Sequence, residues 1–269
     1  MYFSVLLIFL ISHCIFDFTL QNEYIINLRF PKDNNKISIL KGNTIHSILH
    51  CLGMFLLLWI FSLLSKMSIG NYYISILLIS IFHFIIDLLK SLFIIKYSWL
   101  KNSVIIFVLD QILHIIVIVM FCPNITFKNI INSKSMLNCN NKVLLSILIV
   151  LICTSFTGIF IKMFISSLNT KRYKFLYKNN IYIPNTNNNN GAEHGGLIIG
   201  KLERIFIMII IFIDQPSLIG FVLATKSIAR FKKLENESFA EYFIIGTFIS
   251  FITALIGGLI IRKLFFHNN

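Results

Sequence analysis

The sequence FHFIIDLLK (residues 82–90) places a histidine and an aspartate four positions apart inside an apolar run that extends from 72 to 95. A run of about 20 apolar residues is long enough to cross the hydrocarbon core of a bilayer as a helix. Five more runs of this kind bring the predicted number of spanning helices to six, at 2–20, 45–65, 103–121, 143–168 and 239–261. The pattern therefore predicts an all-α polytopic membrane protein.

The composition favours the same fold class. Of the 269 residues, 57% are hydrophobic and 13% are charged, whereas globular domains carry about 25% charged residues. The net charge of +13 comes from Lys and Arg scattered through the polar connections, which is typical of loops on the cytoplasmic side of a membrane. We therefore expect the lipid bilayer as a partner and no nucleic acid.

The chain divides into three predicted regions. Residues 1–121 are expected to form a four-helix transmembrane bundle, 122–142 a connecting loop, and 143–269 a C-terminal membrane region. The last region is expected to contain a helix at 143–168, a polar loop at 169–200, a broken helix at 202–231 and a helix at 239–261.

The broken helix has two possible interpretations. The sequence DQPS (214–217) interrupts it, and each half is too short to span the membrane alone. It is either one kinked crossing or a re-entrant hairpin whose turn other parts of the protein must cover. With the N-terminus outside, the inner loops up to residue 201 carry eleven Lys and Arg and the outer loops four, as the positive-inside rule requires. The hairpin is preferred because it also places Lys226 and Arg230 on the inner side.

Each of the first four helices carries a pair of residues that could bind a metal ion. The pairs are His13 and Asp17, His46 and His50, His83 and Asp87, and Asp110 and His114. A spacing of four positions puts both side chains on one face of a helix, one turn apart. The pairs lie late in the first and third runs and early in the second and fourth, so alternating helix directions bring them to one level. We therefore expect a single polar cluster in the cytoplasmic half of the bundle.

Three aspartates inside a membrane need compensating positive charge. An ionised Asp near the bilayer centre costs roughly 2.5–3.5 kcal/mol, and Lys90 is the main cation in these helices. One or two divalent ions would offset the charge, and mixed His and Asp ligands favour Zn, Fe or Mn over Ca. Some aspartates could instead orient the imidazoles from outside the coordination shell, and a metal-free network of interhelical hydrogen bonds is the alternative. Gln111 points about 100° away from Asp110, so it is not expected to coordinate the metal directly.

Several cations are candidates for binding an anionic group. Lys90 lies on the helix face of the third pair, although it could equally extend toward the membrane interface. Arg204, Lys226 and Arg230 in the C-terminal region are expected at the cytoplasmic surface. There they would either bind a phosphate or pair with neighbouring acids.

The four motifs together resemble a known family. HCIFDFTLQ (13–21), IHSILH (45–50), FHFIIDLLK (82–90) and LDQILH (109–114) are similar to the bacterial membrane family catalogued as domain of unknown function 3307. GKLERIFI (200–207), ATKSIARFKKLE (224–235) and EYFIIGTFIS (241–250) resemble the C-terminal half of its longer members. The resemblance implies a multi-pass protein of the bacterial cytoplasmic membrane but no particular activity. The membrane-embedded His and Asp pairs are also loosely similar to those of proteins labelled membrane-bound metal-dependent hydrolases.

The leading functional hypothesis is a metal-dependent integral-membrane hydrolase that acts on a lipid-linked or membrane-partitioned ester or phosphoester. In this hypothesis Asp87, Asp110 and Lys90 are the catalytic residues, and the four pairs bind one or two divalent ions. A metal-ion or proton transporter is an alternative, but it requires polar residues across the whole membrane, and the outer halves of these helices are almost wholly apolar. A non-catalytic membrane protein with a structural metal or a polar network is the third possibility.

Overall fold

A computed structural model describes residues 2–31, 33–66, 69–97, 100, 103–123, 138–178 and 195–266. These residues form helices, short turns and connections, and no strand occurs among them. By their internal contacts they fall into two compact units, Met1–Leu151 and Ile152–Asn269. The predicted all-α architecture is therefore confirmed.

The described residues of the first unit form six α-helices and a short 3₁₀ turn at Gly70–Tyr72. The helices are α1 (Tyr2–Phe18), α2 (Glu23–Arg29), α3 (Lys36–Ser65), α4 (Tyr73–Lys96), α5 (Val104–Phe121) and α6 (Cys139–Leu151). This unit extends beyond the predicted boundary at 121 because α6 packs against α1.

The second unit begins with a π-helical turn at Ile152–Phe156 and also contains a 3₁₀ turn at Pro216–Leu218. Its α-helices are α7 (Thr157–Lys178), α8 (Gly195–Phe212), α9 (Ile219–Ala229), α10 (Phe231–Leu234) and α11 (Glu237–Phe266).

Among the residues that the structure describes, five stretches of helix are long and apolar enough to cross a membrane, at Lys36–Ser65, Tyr73–Lys96, Val104–Phe121, Cys139–Leu168 and Phe239–Phe266. A sixth candidate is the pair formed by α1 and α2, whose axes meet at 85°. The chain is thus a multi-pass membrane protein, with the helices predicted from the apolar runs.

The boundaries of two predicted segments are wrong. The helix predicted over 45–65 begins at Lys36, where the side chain of Asn35 caps it by accepting hydrogen bonds from backbone N–H groups of the first turn. The polar loop predicted over 169–200 is helical at both ends, because α7 continues to Lys178 and α8 begins at Gly195. These helical turns are polar in composition, so the sequence pattern predicted a loop. The intervening residues 179–194, which include His194, lie outside the described residues.

In the first unit, four helices surround a common interior. α1 packs against α3 and α5, α3 packs against α4, and α4 packs against α5, so the predicted four-helix bundle is present. One end of the interior is an apolar layer that includes Phe9, Leu58, Ile76 and Ile118. Large apolar side chains such as Leu64, which is 81% exposed, cover the outside of the bundle, as expected where a protein faces lipid.

In the second unit, the broken segment folds back as a hairpin. Nζ of Lys226 on α9 lies 2.8 Å from Oε2 of Glu203 on α8, whereas a single continuous crossing would separate residues 203 and 226 by about 35 Å. The turn contains Asp214 in the left-handed region, at φ 60°, and Arg262 near the end of α11 pairs with its carboxylate. The segment therefore folds back on itself, and its re-entrant position in the membrane stays a prediction.

The contact between α1 and α3 depends on Gly53. A Cβ at this position would overlap the ring of Phe16, which also lies 5.7 Å from the imidazole of His50 and so cannot move without disturbing its neighbours. We expect Gly53→Ala to lower the free energy of unfolding by about 1–3 kcal/mol, measured by thermal unfolding in detergent. Gly220→Ala is the matched control, because no atom lies within 4 Å of its added Cβ. Equal melting temperatures for the two variants would contradict this account of the packing.

Candidate metal centre

The eight paired side chains converge inside the first unit. All five imidazoles are buried, as are the carboxylates of Asp87 and Asp110, and the Asp17 side chain is 10% exposed. The His50 and His83 rings lie 4.0 Å apart between centroids, and those of His83 and His114 lie 4.3 Å apart. The pairs meet because each occupies one helix face and because successive helices present that face at the same level.

Two groups of side chains have the spacing of metal ligands. One group is formed by Asp17, His46, His50 and His83, and the other by His83, Asp87 and His114. In each group every residue offers one ligand atom, and all of these atoms lie within 4.8 Å of one another. Because the groups share His83, they are overlapping parts of one centre.

The group around Asp17 already forms hydrogen bonds. Asp17 Oδ1 lies 3.0 Å from Nε2 of His46 and 3.0 Å from Nε2 of His50. The other carboxylate oxygen accepts a hydrogen bond from the Gln111 amide at 3.3 Å. If both imidazoles donate a hydrogen bond through Nε2, those nitrogens carry protons and have no lone pair left to bind an ion. The carboxylate of Asp17 and the Nε2 atoms of His46 and His50 are therefore satisfied without a metal.

The group around Asp87 is different. His83 Nε2, Asp87 Oδ2 and His114 Nε2 are all buried, and none has a hydrogen-bond partner among the described residues. His83 Nε2 lies 3.3 Å from Asp87 Oδ2, close to the separation of about 3.4 Å between two ligands that each lie 2.1 Å from a tetrahedral ion. A buried polar atom left unpaired costs about 1–3 kcal/mol, and a shared cation would remove that cost for all three. The donor set therefore fits a metal ion.

His114 is oriented in the way that metal-binding histidines usually are. Its Nδ1 lies 2.8 Å from the backbone carbonyl oxygen of Asp110. A hydrogen bond donated there fixes the proton on Nδ1 and leaves the Nε2 lone pair free for a ligand bond. The preceding turn of α5 thus sets the tautomer of the imidazole.

Arg29 is the residue of this centre that the sequence reasoning missed. Its Nη2 lies 2.6 Å from Asp87 Oδ1 with both side chains 4% exposed, and its Nε donates to Asn43 Oδ1 at 3.0 Å. In the amide orientation that satisfies both of its hydrogen bonds, Gln21 accepts from Arg29 Nη1 at 2.7 Å. By the count of basic residues alone, Arg29 is one of the eleven Lys and Arg of the predicted inner loops. The available signal was Asn22 followed by Glu23, which marks the start of a short helix.

The position of Arg29 depends on the bend between α1 and α2. α2 packs against the start of α3 at Gly42, where a Cβ would lie 2.8 Å from the backbone nitrogen of Arg29. Only glycine permits this approach. The close contact carries the guanidinium into the end of the bundle.

Lys90 and Asp110 form the edge of the cluster. Nζ of Lys90 lies 2.6 Å from Asp110 Oδ2, and the lysine side chain is 21% exposed. Gln111 donates to the same oxygen at 3.0 Å and lies 3.1 Å from His13 Nε2. Gln111 therefore belongs to the hydrogen-bond network of the cluster, because its long side chain reaches across the angle between the two helix faces, and the expectation that it does not coordinate an ion stays a prediction.

The charges of the cluster favour one ion over two. With the imidazoles neutral, the three carboxylates, Arg29 and Lys90 sum to −1. One divalent ion brings the sum to +1, which a single bound anion neutralises, whereas two ions bring it to +3. One proton on an imidazole would also neutralise the cluster, so the metal-free network remains the alternative to a metal site.

The cations predicted in the C-terminal region lie in the second unit. Arg204 is buried and donates to Ser250 and to the carbonyl oxygen of Thr154. Lys226 pairs with Glu203, and Arg230 is the residue between α9 and α10. Their predicted role in anion binding stays a prediction.

The comparisons with known proteins identify a family. A family model described as a protein of unknown function (DUF3307) matches residues 5–145, which is more than half of the chain. The matched segment includes all eight paired residues together with Arg29 and Lys90. Searches of curated proteins and of solved structures found no match. The resemblance inferred from the four motifs is confirmed, and the family brings no activity with it.

The ion pair of Arg29 with Asp87 is expected to support the fold of the first unit. Arg29→Met leaves a buried carboxylate without its cation, which costs about 3–5 kcal/mol, and Arg29→Met with Asp87→Asn should recover part of that loss because an amide needs no counter-charge. Unfolding in detergent measures both variants. Arg262→Met is the control, because its pair with Asp214 is 37% and 63% exposed and such pairs contribute about 0–1 kcal/mol. Equal losses for Arg29→Met and the control would argue against a structural role for the buried pair.

Proposed function

The chain belongs to the DUF3307 family, and we propose that it is a metal-dependent hydrolase whose active site lies inside the membrane. Its substrate in this proposal is a lipid-linked or membrane-partitioned ester or phosphoester. One observation carries the proposal. His83, Asp87 and His114 offer ligand atoms that lie within 4.8 Å of one another, and His83 Nε2, Asp87 Oδ2 and His114 Nε2 are buried with no hydrogen-bond partner in the described part of the chain.

The number and type of these ligands favour catalysis over a purely structural role. Structural zinc sites use four protein ligands, whereas catalytic sites use three and keep a position open. Two imidazoles and one carboxylate also suit Fe. A divalent ion held there would polarise the scissile oxygen and lower the pKa of a bound water toward about 7.

Arg29 acts in this proposal by positioning Asp87. The guanidinium engages Oδ1 of the carboxylate at 2.6 Å, which leaves Oδ2 directed toward His83. Hydrogen bonds of this kind hold a metal ligand in place, and their removal typically lowers metal affinity or activity by about 10–100-fold.

Asp110 and Lys90 are the proposed proton acceptor and anion-binding group. Asp110 Oδ1 is buried and has no hydrogen-bond partner among the described residues, so it can accept a proton from a reacting group. Lys90 is bound to the other oxygen of Asp110 and is partly exposed. An anionic substrate that enters from this edge would meet Lys90 first and share its positive charge with Asp110.

The apolar layer beside the cluster favours hydrolysis over transport. Met54 and Ile79 border the histidines directly, and buried apolar side chains continue beyond them through Leu58 and Ile76. A transported ion or proton needs a series of polar groups across the membrane. A chemical site that is reached from one side does not.

Metal content tests the proposal and the assignment of ligands. Purified wild-type protein is expected to contain about one Zn, Fe or Mn per chain by inductively coupled plasma mass spectrometry. His83→Gln and His114→Gln should each remove at least nine tenths of it, because each deletes one of three ligands. His46→Gln is the matched control within the cluster and should retain most of the metal, because that imidazole is already bonded to Asp17. Wild-type protein that contains no metal after loading and dialysis would favour the metal-free network.

Turnover tests the reaction class. Para-nitrophenyl esters and bis-para-nitrophenyl phosphate, presented in mixed micelles, are suitable probes. We expect metal-dependent hydrolysis that Asp87→Asn lowers at least 100-fold. Lys90→Gln should raise KM for the phosphodiester more than for the neutral ester, because only the former carries an anion to bind. Wild-type rates in Asp87→Asn or in chelator-treated protein would exclude this active site.

A further inference from the structure

A second buried charge lies in the second unit, at Arg204. The side chain is 2% exposed and donates to Thr154 and Ser250. Those two residues lie near the middles of the candidate spans Cys139–Leu168 and Phe239–Phe266. Arginine at this depth is costly in a membrane protein, and it commonly marks the site of a substrate or an ion.

The partners of Arg204 do not neutralise it. Nη1 donates to the Ser250 hydroxyl at 3.0 Å and Nη2 to the Thr154 carbonyl oxygen at 2.8 Å. Nε is buried and has no partner among the described residues. The adjacent carboxylate, on Glu203, is bonded to Lys226 instead. Within the part of the chain that the structure describes, this buried guanidinium forms no ion pair.

A cavity adjoins the guanidinium. Its volume is about 190 Å³, and Lys226, Tyr242 and Thr247 line it together with Arg204. The Thr247 hydroxyl is buried and has no hydrogen-bond partner among the described residues. A volume of this size corresponds to several water molecules, so it is large enough for a small polar group.

The backbone around Arg204 positions the guanidinium and leaves room beside it. Thr154 belongs to the π-helical turn at Ile152–Phe156, a type of turn that is common at functional sites, and its carbonyl oxygen anchors the guanidinium. Gly158 and Gly200 lie against the two ends of the fork, where a Cβ would be 3.1 Å from Nη2 and 3.3 Å from Nη1. The hairpin then brings Lys226 to the same cavity.

We propose that this cavity binds a phosphate-bearing anion. The Arg204 fork supplies a positive charge that is unpaired among the described residues and the geometry that matches phosphate oxygens, and Lys226, which is paired with Glu203 and 20% exposed, supplies a further N–H donor. The hydroxyls of Tyr242, Thr247 and Ser250 add further hydrogen-bond donors. The anion is either the headgroup of a phospholipid or a free phosphate, and the site is independent of the hydrolase proposed for the first unit.

Binding by the full-length protein tests this proposal and separates the two sources. In one arm, protein reconstituted in phosphatidylcholine nanodiscs with 10% phosphatidic acid is extracted gently, and bound lipid is counted by native mass spectrometry. In the other arm, inorganic phosphate is titrated calorimetrically into lipid-depleted protein in detergent. Retention of about one phosphatidic acid per chain without phosphate binding identifies a lipid site, and phosphate binding identifies a soluble anion. Failure to bind in both arms overturns the proposal.

Two variants and one control keep the test specific. Arg204→Met removes the charge and should lower binding at least tenfold. Gly246→Leu keeps the arginine but fills the cavity beside Ile161 and Ile165, whose side chains lie within 3.4 Å of its Cβ position, and it should have the same effect. Arg262→Gln, which removes an arginine elsewhere in the unit, should bind as the wild type does. Undiminished binding by Gly246→Leu or by Arg204→Met would show that the anion binds elsewhere.

Discussion

Three carboxylates buried in an apolar helix bundle require positive charge close to them, and this requirement explains most of the architecture of the first unit. Asp87 obtains its cation from α2, which the bend of 85° folds against the bundle, so that Arg29 reaches one carboxylate oxygen at 2.6 Å. Asp110 obtains its cation from the adjacent helix through Lys90. Gly42 permits the necessary approach of α2. Without these contacts, the cost of burying the charges would oppose the association of the helices.

The charges of the carboxylates are not compensated equally, and the difference between them marks the proposed metal site. Asp17 is close to saturated, because two imidazoles and an amide occupy its oxygens. Asp87 is saturated on one oxygen only. Its other oxygen lies 3.3 Å from His83 Nε2, and neither of these atoms nor His114 Nε2 has a hydrogen-bond partner in the described part of the chain. A stable fold made only of hydrogen bonds would have little reason to leave three such atoms unpaired at one point. A cation held at this point, as proposed, would account for them.

The second unit also buries a charged group, but there the charge is positive. There the guanidinium of Arg204 is buried beside neutral oxygen acceptors and small residues. The neighbouring carboxylate, on Glu203, pairs with Lys226. One of those acceptors, the carbonyl oxygen of Thr154, belongs to the π-helical turn.

The sequence by itself determined the number and length of the apolar helices and the four pairs, because the span of a bilayer and the helical repeat are both written in local spacing. It also indicated that the pairs share one level, since helix direction alternates along the chain. Arg29, the start of α3 and the reach of Gln111 were decided only by the tertiary structure. The bend between α1 and α2, and the angle at which α2 returns, depend on the surface against which α2 packs. The distance that a flexible side chain spans likewise depends on the partner that it meets. The hairpin at residues 214–217 had the same cause, because either interpretation satisfied the local pattern and only the contact of Lys226 with Glu203 chose between them.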